Sequence, residues 1–300
     1  MLPPLADALV GRMNICTLYP LSADEVIGKP SVFLDKIWDE PHFQLNTVVK
    51  KFSLTQMIGQ ATFPQLTSDK NIHRHRWFQS YLTTLLQRDI KDLAEIEKIS
   101  MLPNMLQIIA SRVGSLINEA AFAREVGMNA MTFSRYRHLF KALFLTDDVL
   151  AWHKNIGKRF VKSSKLYFID TTLLCYLLGV EIHTLQKDNP NLYGKIIENF
   201  VYSELLKQLT RQTDSKLYHF RTQDGKEIDF ILEKRNGDLI GLEVKAKENI
   251  TPHDFSLLKE LQSLTGKSFK KGIVLYGGEK ILPFGKNLYA MPIEALWSMK

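Results

Sequence analysis

Asp229, Glu243 and Lys245 lie in "EIDFILEKRNGDLIGLEVKAK", residues 227 to 247, where two runs of alternating apolar residues flank a turn. Two carboxylates and an ammonium have the chemistry to share one metal ion or to face one phosphate. Whether they meet depends on register. Ile228, Phe230 and Leu232 alternate on the first run, and Ile240, Leu242 and Val244 on the second. A shared buried face therefore requires opposed residues whose numbers sum to an even value. A two-residue Asn236-Gly237 turn gives an odd sum and sends one apolar set to solvent. A three-residue Asn236-Gly237-Asp238 loop, with Gly237 left-handed, gives an even one. Asp229 then lies opposite Lys245, with Glu243 one diagonal step away on the same face. The other reading, a solvated strand face without chemistry, stays open.

Around this hairpin the pattern from residue 191 runs helix "LYGKIIENFVYSELLKQLT", strand "KLYHFRT", the two hairpin strands, helix "DFSLLKELQSL" and strand "KGIVLY". Pro252 and Gly266 punctuate the second helix. In the first, Glu198 shares the stripe of Gly194, Ile197, Val201 and Leu205, so it faces the sheet. A carboxylate directed inward needs a partner or an ion. This αβββαβ order, with Asp on its second strand and Glu-x-Lys on its third, resembles the restriction-endonuclease-like PD-(D/E)XK superfamily. The resemblance implies Mg²⁺ as cofactor, with Asp229 and Glu243 as metal ligands and Glu198 as an outer or second ligand. It also implies a phosphate-facing role for Lys245 and a metal-dependent nuclease activity.

Upstream, residues 22 to 115 are helical in pattern, clearest in "WFQSYLTTLLQRDIKDLAEI", where Trp77, Tyr81 and Leu85 fall four apart and Phe78, Leu82 and Leu93 widen the stripe. Asn104 is suited to start a further helix and Gly114 to end it. Next, "NEAAFAREV", a turn at Gly127 and "AMTFSRYRHLFKALF" have helix-turn-helix spacing. "LFLTDDVLAWH" and "KSSKLYFID" read as two strands flanking the basic loop "KNIGKR", like the wing of a winged helix. Arg135, Arg137 and Lys141 on the second helix, and Lys154, Lys158, Arg159 and Lys162 in the wing, where Lys165 is the fifth cation, are candidate phosphate contacts on a nucleic acid, DNA before RNA. A solvated helix face is the competing reading.

The whole chain has 300 residues, 45% hydrophobic, with a net charge of +7. That length suggests about two domains, and the charge is compatible with a nucleic-acid partner without requiring one. No apolar run is long enough to span a membrane, so no membrane contact and a cytoplasmic location are expected. Cys16 and Cys175 stand apart, without metal spacing, and read as core thiols. His73 and His75, beside Arg74 and Arg76, read as basic surface. "LTGKS" at 264–268 ends like a phosphate-binding loop, but Leu261 stands where its glycine belongs and the segment closes a helix. "GGEKILPFGK" fails too, with Lys280 where the first glycine belongs, so the chain holds no intact Walker A motif.

Six separated segments, "LVGRMNICTLYPLS", "YLTTLLQRDI", "KNIGKRFVKSSKLYFID", "NLYGKIIENFVYSELL", "RTQDGKEIDFIL" and "GLEVKAK", together resemble the prokaryotic AAA-type ATPase family whose C-terminal part is the domain of unknown function DUF4143. The resemblance implies ATP as the cofactor of full-length relatives, and nucleotide sensing or subunit contact for Arg12, Arg88 and Asp89. This chain begins near the end of the family's nucleotide-binding domain, at Gly11 and Arg12, and is expected to be an N-terminally shortened form without ATP hydrolysis. The family usually has a small residue in "FIDTTLL" after Asp170 and its neighbour, so no role is carried over to Asp170. The expected fold is α+β or α/β multidomain: a helical remnant over 1–114, a winged-helix-like part over 115–185 and a nuclease-like αβββαβ part over 186–300. Two functions follow. One is a DNA-binding protein with a Mg²⁺-dependent nuclease-like domain. The other is a non-catalytic regulatory or protein-interaction module, with a protein partner or self-association through the N-terminal region.

Overall fold

The computed structural model describes residues 16–40, 42–43, 52–89, 99–212 and 214–299. Gly11, Arg12 and Leu93 lie outside them. The N-terminal part is helical: α1 (Ala23–Ile27), α2 (Phe33–Asp39), α3 (Leu54–Ile58), α4 (Pro64–Ser68), α5 (Arg74–Thr84) and α6 (Leu102–Ser111). The stripe expected from Trp77 onward forms α5, which passes into a π-helical turn at Leu85–Asp89. Helix α6 starts two residues before Asn104, with Pro103 in its first turn, where a missing N–H costs nothing.

The middle part contains α7 (Glu119–Val126), α8 (Ala130–Ala142), β1 (Thr146–Val149), α9 (Ile156–Val161) and β2 (Lys165–Phe168). Asn118 and Asn129 start α7 and α8 by accepting the N–H groups of Ala121 and Thr132 at 3.0 and 2.8 Å, caps worth about 1 kcal/mol each. β1 and β2 pair antiparallel as expected, with Val149 opposite Lys165. The segment between them is not a loop. Asn155 accepts the N–H of Gly157 at 2.9 Å and starts the short helix α9. The basic "wing" is thus a helical turn.

Then come α10 (Thr171–Leu178), α11 (Ile182–Asp188) and α12 (Pro190–Leu209), followed by β3 (Ser215–Arg221), β4 (Glu227–Lys234), β5 (Leu239–Lys245), α13 (Ser256–Thr265), β6 (Phe269–Tyr276), β7 (Leu282–Gly285), β8 (Leu288–Pro292) and α14 (Ala295–Ser298). The strands form one mixed sheet of order β3-β4-β5-β6-β8-β7, parallel at β5/β6 and β6/β8 and antiparallel elsewhere. Its last two strands and α14 extend the αβββαβ unit beyond the expected pattern. Phe230, Leu232, Ile240, Leu242, Ile273 and Leu275 join one core with α12 and the helical part. Ile231, Leu239, Val274 and Phe220 join a second core with Leu258 and Leu261 of α13. Both faces are therefore covered, and the sheet strands read as nearly continuous apolar runs. The stretch after β1 runs beside β3, where the N–H of Trp152 donates to the carbonyl of His219 at 2.6 Å.

The β4/β5 hairpin keeps the expected parity with a different register. Phe230 faces Leu242 and Leu232 faces Ile240, an even sum two lower than expected. The three-residue loop is Arg235-Asn236-Gly237, closed by the Gly237 N–H donating to the Lys234 carbonyl at 2.9 Å, with Gly237 at φ 85°. One more step along this register sets Asp229 beside Glu243 instead of Lys245. Ile228 does not share the face of Phe230, because it lies in the second core. The cause is a bulge: Tyr218 faces Ile231 while Phe220 faces Ile228, so Asp229 and Phe230 together oppose His219.

Among the described residues no helix is long and apolar enough to cross a membrane. Cys16 is exposed and not a core thiol. Cys175 is largely enclosed, and burial pushes its thiol up to about 12. Gly266 ends α13, as its place in "LTGKS" implies.

Candidate functional site

The bulge decides which way the acids point. With Asp229 and Phe230 on the same side of β4 and Ile228 on the other, Glu227 and Asp229 both turn toward α12. Glu198 meets them from the inward stripe of α12, beside the fully buried Ile197 and Val201. At the centre lies an unexpected group, the ammonium of Lys165 at the start of β2. Its Nζ is 3.1 Å from Glu198 Oε1, 3.0 Å from Glu227 Oε2 and 3.4 Å from Asp229 Oδ1. The Tyr167 hydroxyl, two residues along the same strand face, donates to Glu198 Oε1 at 2.6 Å. Arg221 pairs with the second oxygen of Glu227. Asp229 uses its second oxygen to accept the N–H of Val244 at 2.9 Å, which fastens β4 to β5 where the ladder ends. Gly114, at φ +70°, closes the cluster from the segment paired with β2. A Cβ there would lie 3.4 Å from both Glu198 oxygens.

Glu243 and Lys245 form the adjoining pair, with Lys245 Nζ donating to Glu243 Oε1 at 2.6 Å. Burial, reinforced by the charge of Asp229 and opposed by Lys245, raises Glu243 to about 8. Burial and Asp229 likewise raise Glu198 to about 7 against the opposing influence of Lys165 and Tyr167. Burial works to lower Lys165, but Glu198, Asp229 and Glu227 outweigh it and hold its pKa above the ordinary lysine range. Behind the cluster, burial lowers His219 to about 4. Its Nε2 meets the Ser163 carbonyl at 3.1 Å and keeps the neutral ring in place.

The structure thus brings Glu198, Asp229, Glu243 and Lys245 to one end of the sheet. It adds Lys165, Tyr167 and Glu227, which sequence reasoning did not single out as site residues. The available signal was the period of two, Lys165 with Tyr167 and Glu227 with Asp229. Hard carboxylate oxygens suit Mg²⁺, which needs them at about 2.0–2.1 Å in near-octahedral order. Here three of the four carboxylates turn an oxygen to the Lys165 ammonium, and the fourth is tied to Lys245. No three acids among the described residues are arranged to hold a metal. As folded, these residues do not fit the divalent ion that the resemblance implies.

The candidate phosphate contacts divide sharply. Arg137 is buried between Glu119 and Asp148, at 3.0 and 2.6 Å, and so is not presented to a nucleic acid. Arg159 is buried too. It grips Glu233 with two N–H groups at 2.5 and 2.9 Å and lies over the Tyr218 ring at 4.7 Å. Both arginines therefore anchor the middle part. Lys141 is half-exposed and paired with Asp147 at 2.7 Å. Arg135 is exposed on α8. Lys154, Lys158 and Lys162 are exposed around α9, and none of the three makes an ion pair with a described residue.

Fold and site together define a mixed α+β protein in which a helical region precedes a mixed sheet bearing an acid–lysine cluster. Comparison with known families places names on these parts. Residues 52–184 match a domain of unknown function, DUF8612, and residues 193–296 match a domain of unknown function, DUF4143. The sequence resemblance to DUF4143 is thereby borne out over the sheet and the helices packed on it. The uncharacterized proteins Mb2031c of Mycobacterium bovis and Rv2008c of Mycobacterium tuberculosis are each 29% identical to this chain over 234 residues, covering 78% of this chain and 51% of the relative. The chain spans about half the length of these relatives. No solved structure matches it.

Proposed function

We propose that this chain is a nucleic-acid-binding module of a longer protein, in which the middle part contacts the phosphate backbone and the C-terminal domain is a non-cleaving, restriction-endonuclease-like scaffold. One observation carries the reading: α9 is clamped to the sheet by Arg159, yet Lys158 within it and Lys154 and Lys162 beside it are exposed to solvent without an acidic partner among the described residues. Exposed unpaired cations on a fixed element are suited to sequence-tolerant backbone contacts. Arg135 lies on the preceding helix of the same part. Membership of a longer protein is supported by relatives of which the aligned region is 51%. The sequence resemblance supports an AAA-type ATPase as that protein.

The test is fluorescence anisotropy with labelled duplex DNA, single-stranded DNA and RNA across a salt series, comparing wild type with Lys154→Gln/Lys158→Gln/Lys162→Gln. Binding should weaken with salt. For duplex, the log–log slope should shrink by up to about 0.9 per lost phosphate contact, and by about 0.7 for single strands. Binding that is absent at low salt, or unaltered in the triple variant, removes the reading. A parallel incubation of plasmid DNA with Mg²⁺ or Mn²⁺ tests the non-cleaving part. Cleavage by wild type that disappears in both Asp229→Ala and Lys245→Ala would make the hairpin an active site.

A further inference from the structure

We propose that the ammonium of Lys165 is the resident cation of the Glu198–Glu227–Asp229 cluster, standing where the resemblance implies a metal ion and joining the middle hairpin to the C-terminal sheet. Lysine is seldom fully buried unless paired. Lys165 is 3% exposed along its side chain, whereas the three carboxylates around it are 13 to 24% exposed. The ammonium therefore lies behind the acids, on the protein side, and is not a surface charge resting on them. The ammonium donates to Glu198 and Asp229 and lies 3.0 Å from Glu227, so three carboxylates surround a group with three donors and no acceptor.

The backbone that carries Lys165 is fixed on both sides. Val149 of β1 pairs with it on one flank, and Leu116 bridges to it on the other. Around it the Leu166 carbonyl accepts the Gly114 N–H at 2.8 Å, and the Leu166 N–H donates to the Ser115 carbonyl at 3.1 Å. The ladder therefore fixes the stem from which Nζ reaches the acids. A divalent ion among the same oxygens would lie close to the ammonium and be repelled by it. The acids are also individually engaged: Tyr167 donates to Glu198, Arg221 pairs with Glu227, and the Val244 N–H donates to Asp229. Lys165 belongs to β2, and Glu198, Glu227 and Asp229 belong to α12 and β4. The contact is thus an ionic latch between two parts of the chain.

The experiment uses the full chain. Calorimetric titration of wild type with Mn²⁺ and with Mg²⁺ should give no saturable binding at millimolar concentration. Lys165→Met, close in length but neutral, leaves three acids without their cation and should lower Tm on the order of 10 °C. Millimolar Mn²⁺ should recover part of that loss while leaving the wild-type Tm unchanged, a response that a merely structural role for the side chain would not give. If Lys165→Met does not fold, Lys165→Met/Glu227→Gln carries one acid fewer and takes its place. Saturable wild-type binding that Asp229→Asn abolishes overturns the proposal. So does a variant that keeps the wild-type Tm, or one that folds but gains nothing from Mn²⁺. Neither measurement involves nucleic acid, so the latch and the binding module stand or fall separately.

Discussion

Replacing Glu198 by glutamine removes a titration while keeping the side chain's shape. In the folded protein burial is the largest influence on Glu198. Asp229 adds to it and Lys165 opposes it, so the group titrates at about 7 instead of 4.5. At 1.36 kcal/mol per pH unit, that gap is worth about 3 kcal/mol. A raised carboxylate means that the folded state holds its proton more tightly than the unfolded state. The resulting advantage is complete below the unfolded value of 4.5 and is lost as pH rises through about 7. Glutamine does not titrate, and its carbonyl oxygen still accepts the Tyr167 hydroxyl. Glu227 and Asp229 remain to pair Lys165. The variant therefore escapes the pH-dependent cost of ionising a buried carboxylate, and whatever the altered side chain costs in packing and hydrogen bonding is the same at every pH. Urea denaturation of both proteins at several values between pH 4.5 and pH 8 gives the difference directly. The stability of Glu198→Gln relative to wild type should climb across that window by up to about 3 kcal/mol. Parallel curves, with the difference constant to within about 0.5 kcal/mol, would refute the claim that burial and Asp229 oppose the ionisation of Glu198.

His219 titrates in the opposite sense. Burial lowers it to about 4, so the stability it contributes is complete above the ordinary value of 6.5 and is lost as pH falls toward 4. Denaturation of His219→Gln at pH 5 and pH 7.5 should show a smaller acid-side loss than wild type, and an equal loss would count against the neutral buried ring. Arg159→Met leaves Glu233 without its bidentate partner and should cost about 3–5 kcal/mol, whereas Arg159→Met/Glu233→Gln should recover part of it, both read by chemical denaturation. In a native thiol titration near pH 8, Cys16 should react promptly and Cys175, raised to about 12 by burial, should lag until the protein unfolds.

What the sequence could disclose followed from local periodicity. The stripe of Ile197, Val201 and Leu205 is enough to turn Glu198 inward, and all three are fully buried. The parity of the β4/β5 hairpin followed from the alternation of Phe230 and Leu232 on one strand and Ile240 and Leu242 on the other, which share one core. The absolute register did not follow, since loops at 235–237 and 236–238 satisfy the same parity and place Gly237 in different positions. The bulge at Asp229 was hidden for another reason: it exists only against His219 on β3, and no pattern within β4 announces it.

Lys165 shows the limit most clearly. In the sequence it closes a run of five cations, and a lysine in such company reads as solvated. The run in fact splits into three fates: Lys154, Lys158 and Lys162 face water, Arg159 clamps α9 to β4, and Lys165 enters the acid cluster. What separates them is the backbone each stands on. Residues flanking or within a short surface helix can project outward, whereas a residue in a strand bordered on both sides must pass through one face of the sheet. The acids that make such burial tolerable at Lys165 lie 33 and 64 residues further along the chain. A buried charge is therefore legible only together with its partners, and here those partners include Asp229 and Glu198, two of the acids that first drew attention to the hairpin and to α12. The same acids that suggested a metal were the strongest clue that the chain needed a cation, and Lys165 supplies one from within.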